Sequence, residues 1–226
     1  MTVTPRPARS DPDEFGTTPF YASIGRAFVV MCAVIMGLFA IELLDQVTGH
    51  SLDADGAIIT RTPSGLDGII FAPFLHQSWA HLYGNSVPLL LTGTFVLAGG
   101  ARRFVSVTVL VALTSGVSAW LFGGQTGTHT IGASGVIFGY LGFLVLRGIV
   151  ERTPWTIAVA VLVGVLYGVA ISGVVPGDPH VSWQGHLGGL IGGLIAAVVF
   201  RKRGTRSAAT PTTKELPTTL TIPTLD

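Results

Sequence analysis

Three groups of polar residues lie inside or directly beside long apolar segments, where polar side chains are costly and are often functional. They are His76-Gln-Ser-Trp-Ala-His81-Leu-Tyr-Gly-Asn85, Gly132-Ala133-Ser134-Gly135 and His186-Leu-Gly-Gly189-Leu-Ile-Gly-Gly193. Between them they contain a hydroxyl, imidazole rings and a side-chain amide. These groups can act as a nucleophile, a base and hydrogen-bond donors in a hydrolytic reaction.

The first group places His81 and Asn85 four residues apart. That spacing puts both side chains on one face of a helix, and both can donate hydrogen bonds. One interpretation is that they bind a developing negative charge. The alternative is that they form hydrogen bonds between helices, as polar residues in membrane helices commonly do.

The second group places Ser134 where an uncharged loop enters an apolar segment. A serine at a helix N-terminus lies beside free backbone N–H groups and the positive end of the helix dipole, which favours an oxyanion there. Gly132 and Gly135 would let a substrate backbone approach closely. The alternative is packing, because serine often bonds its own backbone and Gly135 and Gly139 form a small-xxx-small pair.

The third group places His186, Gly189 and Gly193 on one helical face. A glycine stripe lets that face press against the backbone of another helix. We expect the histidine to be held against this neighbour, either as a base or as a packed, hydrogen-bonded group.

Composition indicates a membrane protein that crosses the bilayer several times. The 226 residues are 49% hydrophobic and only 11% charged, whereas about a quarter of the residues in an average globular protein are charged. The net charge of +1 provides no basic field for nucleic acid. The single cysteine, Cys32, excludes an intrachain disulfide.

The distribution of charged residues predicts six spanning helices. No Asp, Glu, Lys or Arg occurs between Asp67 and Arg102 or from Phe104 to Leu146, and Asp178 is the only one from Thr153 to Phe200. A helix needs about 20 apolar residues to cross a bilayer. The predicted segments are 27–47, 80–98, 104–122, 133–150, 155–175 and 185–200. The sequence therefore predicts an all-α membrane protein.

The connections between these segments predict the topology. Alternate connections carry the basic residues Arg26, Arg102, Arg103, Arg147, Arg152 and Arg201. The others carry Asp53, Asp55, Asp67 and Asp178, with Arg61 as their single basic residue. The positive-inside rule then puts both termini in the cytoplasm. The predicted organisation is a disordered tail at 1–26, a membrane domain at 27–200 with an external loop at 48–79, and a basic, then Thr/Pro-rich, disordered tail at 201–226.

This topology brings the three polar groups to one depth. The second, fourth and sixth segments all run inward, so their first turns all face the outer leaflet. We therefore expect His81, Asn85, Ser134 and His186 to share one aqueous pocket near the outer surface.

With these residues in place, the sequence resembles the rhomboid family of intramembrane serine proteases. The resemblance covers about residues 27–200 and rests on H-x-x-x-x-H-x-x-x-N, G-x-S-G and H-x-x-G-x-x-x-G, in this order and each on its expected helix. It implies a six-helix rhomboid bundle, with Ser134 as nucleophile and His186 as general base. His81, Asn85 and the backbone N–H of Ser134 would stabilise the oxyanion. We expect no carboxylate at this depth to complete a triad.

The resemblance also implies supporting residues: His76, Gly132, Gly135, Phe138, Gly189 and Gly193. Phe138 lies one turn after Ser134, at a position where family members often have tyrosine, and we expect its ring to stack on His186. The Trp-Arg pair of many bacterial members is not evident in 48–79, which leaves the anchoring of that loop open. The fifth segment and residues 176–184 resemble the family's mobile gate and cap.

The implied function is an intramembrane serine endopeptidase that cleaves transmembrane segments near the outer leaflet. Its partners would be single-span or polytopic membrane proteins and the lipid bilayer, and its location a bacterial cytoplasmic membrane that it crosses several times. Two alternatives remain: a catalytically inactive rhomboid-like protein that binds membrane clients, and a small transporter.

We expect no cofactor and no metal. The sequence contains no H-E-x-x-H motif and no two aspartates inside predicted spans, so zinc and aspartyl mechanisms lack their residues. His50, His129 and His180 fall in predicted loops, with no carboxylate spaced for a metal site.

Overall fold

The structure is a computed structural model that describes residues 15–178 and 181–201. Its helices are α1 (Thr18–Val47), α2 (Ser51–Gly56), α3 (Gly68–Phe71), α4 (Trp79–Ala98), α5 (Ala101–Phe122), α6 (Ser134–Glu151), α7 (Pro154–Tyr167) and α8 (Trp183–Val199). Short 3₁₀ turns cover Pro63–Gly65, Ala72–Phe74 and Gly168–Val174. Two short strands, β1 (Ile58–Ile59) and β2 (His129–Thr130), pair antiparallel, with Ile58 opposite Thr130 and Ile59 opposite His129.

The long helices α1, α4, α5, α6, α7 and α8 occur where the sequence predicts apolar segments. Three of them, α1, α5 and α6, are long and apolar enough to cross a membrane. Large apolar side chains cover the outside of the bundle; Val165 and Val169, for example, are 76% and 87% exposed. So much contiguous apolar surface requires lipid rather than water around it.

The first helix begins at Thr18, so the prediction that residues 18–26 belong to a disordered tail is wrong. Thr17 caps the helix by accepting a hydrogen bond from the N–H of Phe20, and a proline occupies the first turn, where its missing N–H is tolerated. Phe20 is buried against Trp155 of α7, with ring centroids 4.7 Å apart. The remainder of the predicted tails, residues 1–14 and 202–226, lies outside the described residues.

The fifth predicted segment is also shorter as a helix than expected. The α-helix α7 ends at Tyr167, and a 3₁₀ turn continues to Val174. Gly168 and Gly173 fall in this stretch, and glycine disfavours continued α-helix.

The centre of the bundle is the contact between α6 and α8. In the most apolar 18 residues of α6, 67% of the residues are buried, compared with 22% in the corresponding stretches of α1 and α5. A side chain at Gly189 would overlap the carbonyl oxygen of Gly135, and one at Gly193 would overlap that of Gly139. The two backbones can approach this closely because both faces are glycine.

One end of the bundle is held by an ion cluster. Nη2 of Arg103 donates to Glu151 at 2.8 Å and to the carbonyl of Phe200 at 2.8 Å, and Nε of Arg147 donates to Glu151 at 2.7 Å. These contacts join the end of α8 to α5 and α6. Arg103 and Arg147, two of the basic residues from which the sequence predicts the cytoplasmic side, therefore lie together.

At the opposite end of the bundle, Arg61 anchors the external loop 48–79. The sequence had left this anchor open because the loop lacks the family's Trp-Arg pair. Its guanidinium donates to the carbonyls of Leu121, Gly123 and Gly124 and to the hydroxyl of Thr126, at 2.6–3.4 Å. The indole N–H of Trp120 donates to the carbonyl of Thr62 at 2.8 Å. This tryptophan comes from α5, so the loop is held by Arg61 and by a residue outside it.

Candidate active site

A cavity of about 980 Å³ opens at the Arg61 end of the bundle, opposite the ion cluster. The structure brings His81, Asn85, Ser134 and His186 together on its wall, along with Gly132 and Gly135. These residues come from the starts of α4, α6 and α8, as the predicted topology requires. Gln77, Gln184, Thr128 and Thr130 add further polar groups to the lining.

Ser134 and His186 are in direct contact, although 52 residues separate them in the sequence. Oγ of Ser134 lies 2.8 Å from Nε2 of His186, and Nδ1 of the same ring lies 2.9 Å from the carbonyl oxygen of Gly173. Because a carbonyl only accepts, Nδ1 carries the proton in the neutral ring, and Nε2 is left to accept from the Ser134 hydroxyl. The ring therefore has the tautomer that a base acting on Ser134 requires.

Two serines of α5 hold the start of α8 in place. The hydroxyl of Ser118 donates to the carbonyl of Gln184 at 2.7 Å, and that of Ser115 donates to the carbonyl of Gly185 at 2.9 Å. Ser182 caps α8 by accepting from the N–H of Gly185. Gly185, the residue before His186, is thus bonded through both its carbonyl and its N–H. These bonds fix the backbone from which the His186 side chain projects.

Phe138 forms the floor under the histidine. Its ring stacks on that of His186 with centroids 4.2 Å apart and planes 11° apart, and 7% of Phe138 is exposed. The stack restricts rotation of the imidazole about its χ angles, so that the contact with Ser134 is maintained.

His81 and Asn85 face Ser134 across Gly132. Gly132 has φ +122°, and a Cβ there would lie 2.8 Å from Nε2 of His81 and 3.6 Å from Nδ2 of Asn85. Only glycine suits this backbone and this close approach. Asn85 is buried, and within the described part of the chain its Nδ2 has no hydrogen-bond partner. Its amide is therefore a spare donor at the cavity wall.

Comparison with known proteins identifies the family of this chain. The Rhomboid domain matches residues 64–203, which include every residue of the site. The chain belongs to the rhomboid family. Rhomboids are helical integral membrane proteins, and at the family level this chain is a rhomboid-like intramembrane protease.

Three relatives show how far the likeness extends. An uncharacterized protein of Mycobacterium tuberculosis is 41% identical over 167 residues, which cover 71% of this chain and 69% of the relative. An uncharacterized protein of Mycobacterium leprae is 42% identical over 167 residues, covering 71% and 66%. Rhomboid protease GluP of Bacillus subtilis is 32% identical over 130 residues, covering 54% of this chain and 24% of GluP.

His76 of this rhomboid lies behind the site rather than in it. Its ring is 1% exposed and contacts the ring of His81 edge-on, with centroids 5.2 Å apart. Burial, with a smaller contribution from the neighbouring His81, lowers the pKa of His76 to about 4. His76 is consequently neutral at ordinary pH and supports His81 by packing.

Sequence reasoning missed one group that contacts the catalytic candidates, the Gly173 carbonyl. A backbone carbonyl has no signature in the sequence, so no motif could have found it. Asp53 and Asp178 also line the cavity. Both ring nitrogens of His186 have other partners, so neither aspartate completes a triad.

The expectation that His50 has no carboxylate spaced for a metal site is wrong. Nδ1 of His50 lies 2.9 Å from Oδ2 of Asp45, a residue near the end of the first predicted span. Gly49 and His50 both have positive φ, 71° and 63°, and this tight turn folds the chain back onto α1. The spacing in sequence gave no hint of this contact because it depends on the turn.

Proposed function

We propose that this rhomboid is an active serine endopeptidase in which Ser134 is the nucleophile and His186 the general base. The observation that carries the proposal is the 2.8 Å contact between Oγ of Ser134 and Nε2 of His186, with Nδ1 bonded to the Gly173 carbonyl. Nucleophile, base and an orienting group are the parts that such catalysis needs. Here the orienting group is a backbone carbonyl instead of a carboxylate.

The reaction follows from these positions. Oγ of Ser134 attacks the peptide carbonyl carbon while Nε2 of His186 takes the hydroxyl proton. The tetrahedral intermediate collapses to an acyl-enzyme as the imidazolium gives that proton to the departing amine. Water from the cavity then attacks the ester, His186 takes a proton from the water, and on collapse the proton returns to Ser134.

The negative charge of the intermediate needs donors on the opposite side. Nδ2 of Asn85, the ring of His81 and the backbone N–H of Ser134 line the same cavity wall and would supply them. Ser134 is the first residue of α6, so its N–H has no partner within the helix and lies at the positive end of the dipole. Removing one such donor typically costs about 10²–10³ in turnover, and Asn85→Ala should cost less because other donors remain.

The proposed topology has six spans, formed by α1 and α4–α8, with both ends of the chain in the cytoplasm. The Arg103–Glu151–Arg147 cluster marks the cytoplasmic end, so the cavity opens toward the outer leaflet of a bacterial cytoplasmic membrane. The membrane domain is that of residues 27–200, extended to the start of α1, and the two tails are cytoplasmic.

The substrates that fit are transmembrane segments of single-span or polytopic membrane proteins, cleaved near the outer leaflet. A helix hides its peptide bonds from a nucleophile, so the segment must unwind where it enters the cavity. Small or helix-breaking residues near the outer end of a substrate span should therefore favour cleavage.

Probe labelling and reporter cleavage test this proposal. A fluorophosphonate should label the purified protein and fail to label Ser134→Ala, and Ser134→Ala and His186→Ala should each abolish cleavage of a single-span reporter. The matched control is Ser23→Ala, since Ser23 lies on α1 with its hydroxyl bonded to the carbonyl of Phe20. It should be labelled and active.

Two results would contradict the proposal. Cleavage that persists in Ser134→Ala would exclude this serine as the nucleophile. A wild-type protein that is folded but neither labelled nor active, and that still co-purifies with a membrane client, would favour the inactive rhomboid-like alternative.

A further inference from the structure

A second cluster of chemically active side chains lies at the junction of α1 and the external loop. It consists of Asp45 near the end of α1, His50 in the following turn, and Asp53 in α2. Oδ2 of Asp45, a ring nitrogen of His50 and a carboxylate oxygen of Asp53 all lie within 4.8 Å of one another. None of the three lies in the Ser134–His186 contact.

In the described part of the chain, the carboxylates at this junction have no lysine or arginine partner; Asp45 pairs with His50. In the described ranges, neither Asp53 nor Glu42, one turn before Asp45 on α1, forms an ion pair with a lysine or arginine. Glu42 is 2% exposed; its Oε1 accepts from Gln46, while its Oε2 has no hydrogen-bond partner there. Oδ1 of Asp53 is likewise buried without a partner. Unpaired buried carboxylate oxygens are costly unless a cation compensates them.

We infer that Asp45, His50 and Asp53 form a binding site for a divalent transition-metal ion such as Zn²⁺. Imidazole nitrogen and carboxylate oxygen are common Zn²⁺ ligands, at about 2.0–2.2 Å. Ligand atoms around one tetrahedral ion at that distance lie about 3.4 Å apart, so the side chains of the cluster, now within 4.8 Å of one another, would have to move closer together to bind it. The fourth position is open to water, because Asp53 also lines the large cavity.

The local backbone is already arranged to present these ligands. Oδ1 of Asp45 accepts the N–H groups of Leu52 and Asp53 at 2.8 and 3.1 Å, which caps α2 and orients the carboxylate. Oδ2 of Asp45 accepts the Nδ1 proton of His50. For both atoms to bind the ion, that proton would have to leave Nδ1, since a histidine nitrogen binds a metal only in its unprotonated form. A bound ion would tie α1 to the start of the external loop beside the cavity.

Zinc titration of the full-length protein tests the site. After treatment with a chelator, the purified protein should bind one Zn²⁺ per chain by calorimetry, and Zn²⁺ should raise its melting temperature. His50→Gln and Asp53→Asn should each weaken binding by about tenfold or more and lose the thermal shift. Asp45 is left unchanged because its substitution would also remove the α2 cap.

The matched control is His129→Gln. His129 is exposed in β2 at the same end of the molecule and outside the cluster, so this variant should bind Zn²⁺ as the wild type does. Absence of saturable binding by the wild type would overturn the inference. So would equal binding by the wild type, His50→Gln and Asp53→Asn, which would indicate adventitious surface binding. Neither measurement depends on protease activity.

Discussion

The contact between α6 and α8 differs sharply from the outer side of the bundle formed by α7 and the turn that follows it. Every buried residue of α8 except His186 is glycine or alanine, and α6 is buried over most of its length. By contrast, α7 buries only Thr156, Val159 and Val163. One helix pair is packed backbone to backbone, whereas α7 mostly presents apolar side chains outward.

Glycine plays opposite roles in these two regions. A side chain at Gly189 would overlap the backbone of α6, whereas at Gly164 and Gly168 nothing lies within 4 Å of an added Cβ. In the α6–α8 contact glycine is therefore a packing requirement. In α7 it only lowers helix stability.

The difference suggests how the proposed hydrolytic site could be held in place within a membrane. Ser134 and His186 lie on the closely packed helix pair, so their separation is fixed by the backbones. The Gly173 carbonyl, which orients His186, comes from the turn after α7. The turn after the loosely packed α7 thus contacts the site through His186. We propose that a substrate helix enters beside α7, which agrees with the gate that the resemblance implies.

The largest effect is expected from Gly189→Ala. The added methyl must push α6 and α8 apart, and overpacking of this kind costs about 1–3 kcal/mol. We expect reporter cleavage to fall by more than about 100-fold, because displacement of His186 by about 1 Å is enough for such a loss.

Gly164→Ala in α7 is the matched control for this variant. It should keep its activity and gain about 0.5–1 kcal/mol of stability from the better helix former. Cleavage assays and thermal unfolding of both variants measure the contrast. Equal cleavage rates and equal stabilities of Gly189→Ala and Gly164→Ala would mean that α6 and α8 are not packed as described.

Phe138→Ala should have the next largest effect. Loss of the stacked ring removes about 0.5–1.5 kcal/mol of interaction and leaves the imidazole free to rotate. We expect kcat to fall about tenfold with little change in KM, since the ring contacts His186 and does not line the cavity. Phe138→Tyr should keep most of the activity, and a large rise in KM in the alanine variant would contradict this role.

Gly173→Ala tests the point where the two regions meet. Its Cβ would lie 2.9 Å from Cζ of Phe138 and 3.3 Å from Nδ1 of His186. The ring or the turn must shift by a few tenths of an ångström, and we expect a several-fold drop in kcat.

In a Phe138→Ala background, Gly173→Ala should lower kcat much less, because the ring that the added methyl would overlap is absent. A double-mutant cycle of cleavage rates measures this coupling. Additive effects of the two substitutions would show that the turn does not act through Phe138.

Val163→Ala should have the smallest effect. Val163 is 2% exposed and is among the few residues that hold α7 to the bundle. Its truncation should cost about 1 kcal/mol of stability. If α7 admits the substrate, cleavage should stay level or rise. A loss of cleavage as large as that of Phe138→Ala would instead place α7 with the rigid part of the site.

Much of this architecture could be predicted from the sequence because its signals are local. Charge-free intervals located the long helices, and the order of histidine, serine and glycine motifs identified the family, which the Rhomboid domain match confirmed. Boundaries were less predictable. The start of α1 depends on a cap at Thr17 and on packing of Phe20 against Trp155, neither of which an apolar run reveals.

The site itself was only partly predictable. The residue types at Ser134, His186, His81 and Asn85 were evident, and their expected depth followed from the topology. The partner that orients His186 was not, because Gly173 contributes a backbone group. The anchor of the external loop was not predictable either, because Arg61 bonds carbonyls at and just after the end of α5, 60 or more residues away.

The sequence by itself determined which segments are apolar enough for lipid, which side chains can do chemistry and where glycine permits close approach. The tertiary structure alone decided which backbone carbonyl sets the tautomer of His186, how Arg61 anchors the external loop, and that Asp45, His50 and Asp53 meet. The physical reason is the distance along the chain over which each kind of interaction acts. Hydropathy and helical spacing act between neighbours in the chain, whereas hydrogen-bond partners are selected only after helices pack and turns reverse the backbone.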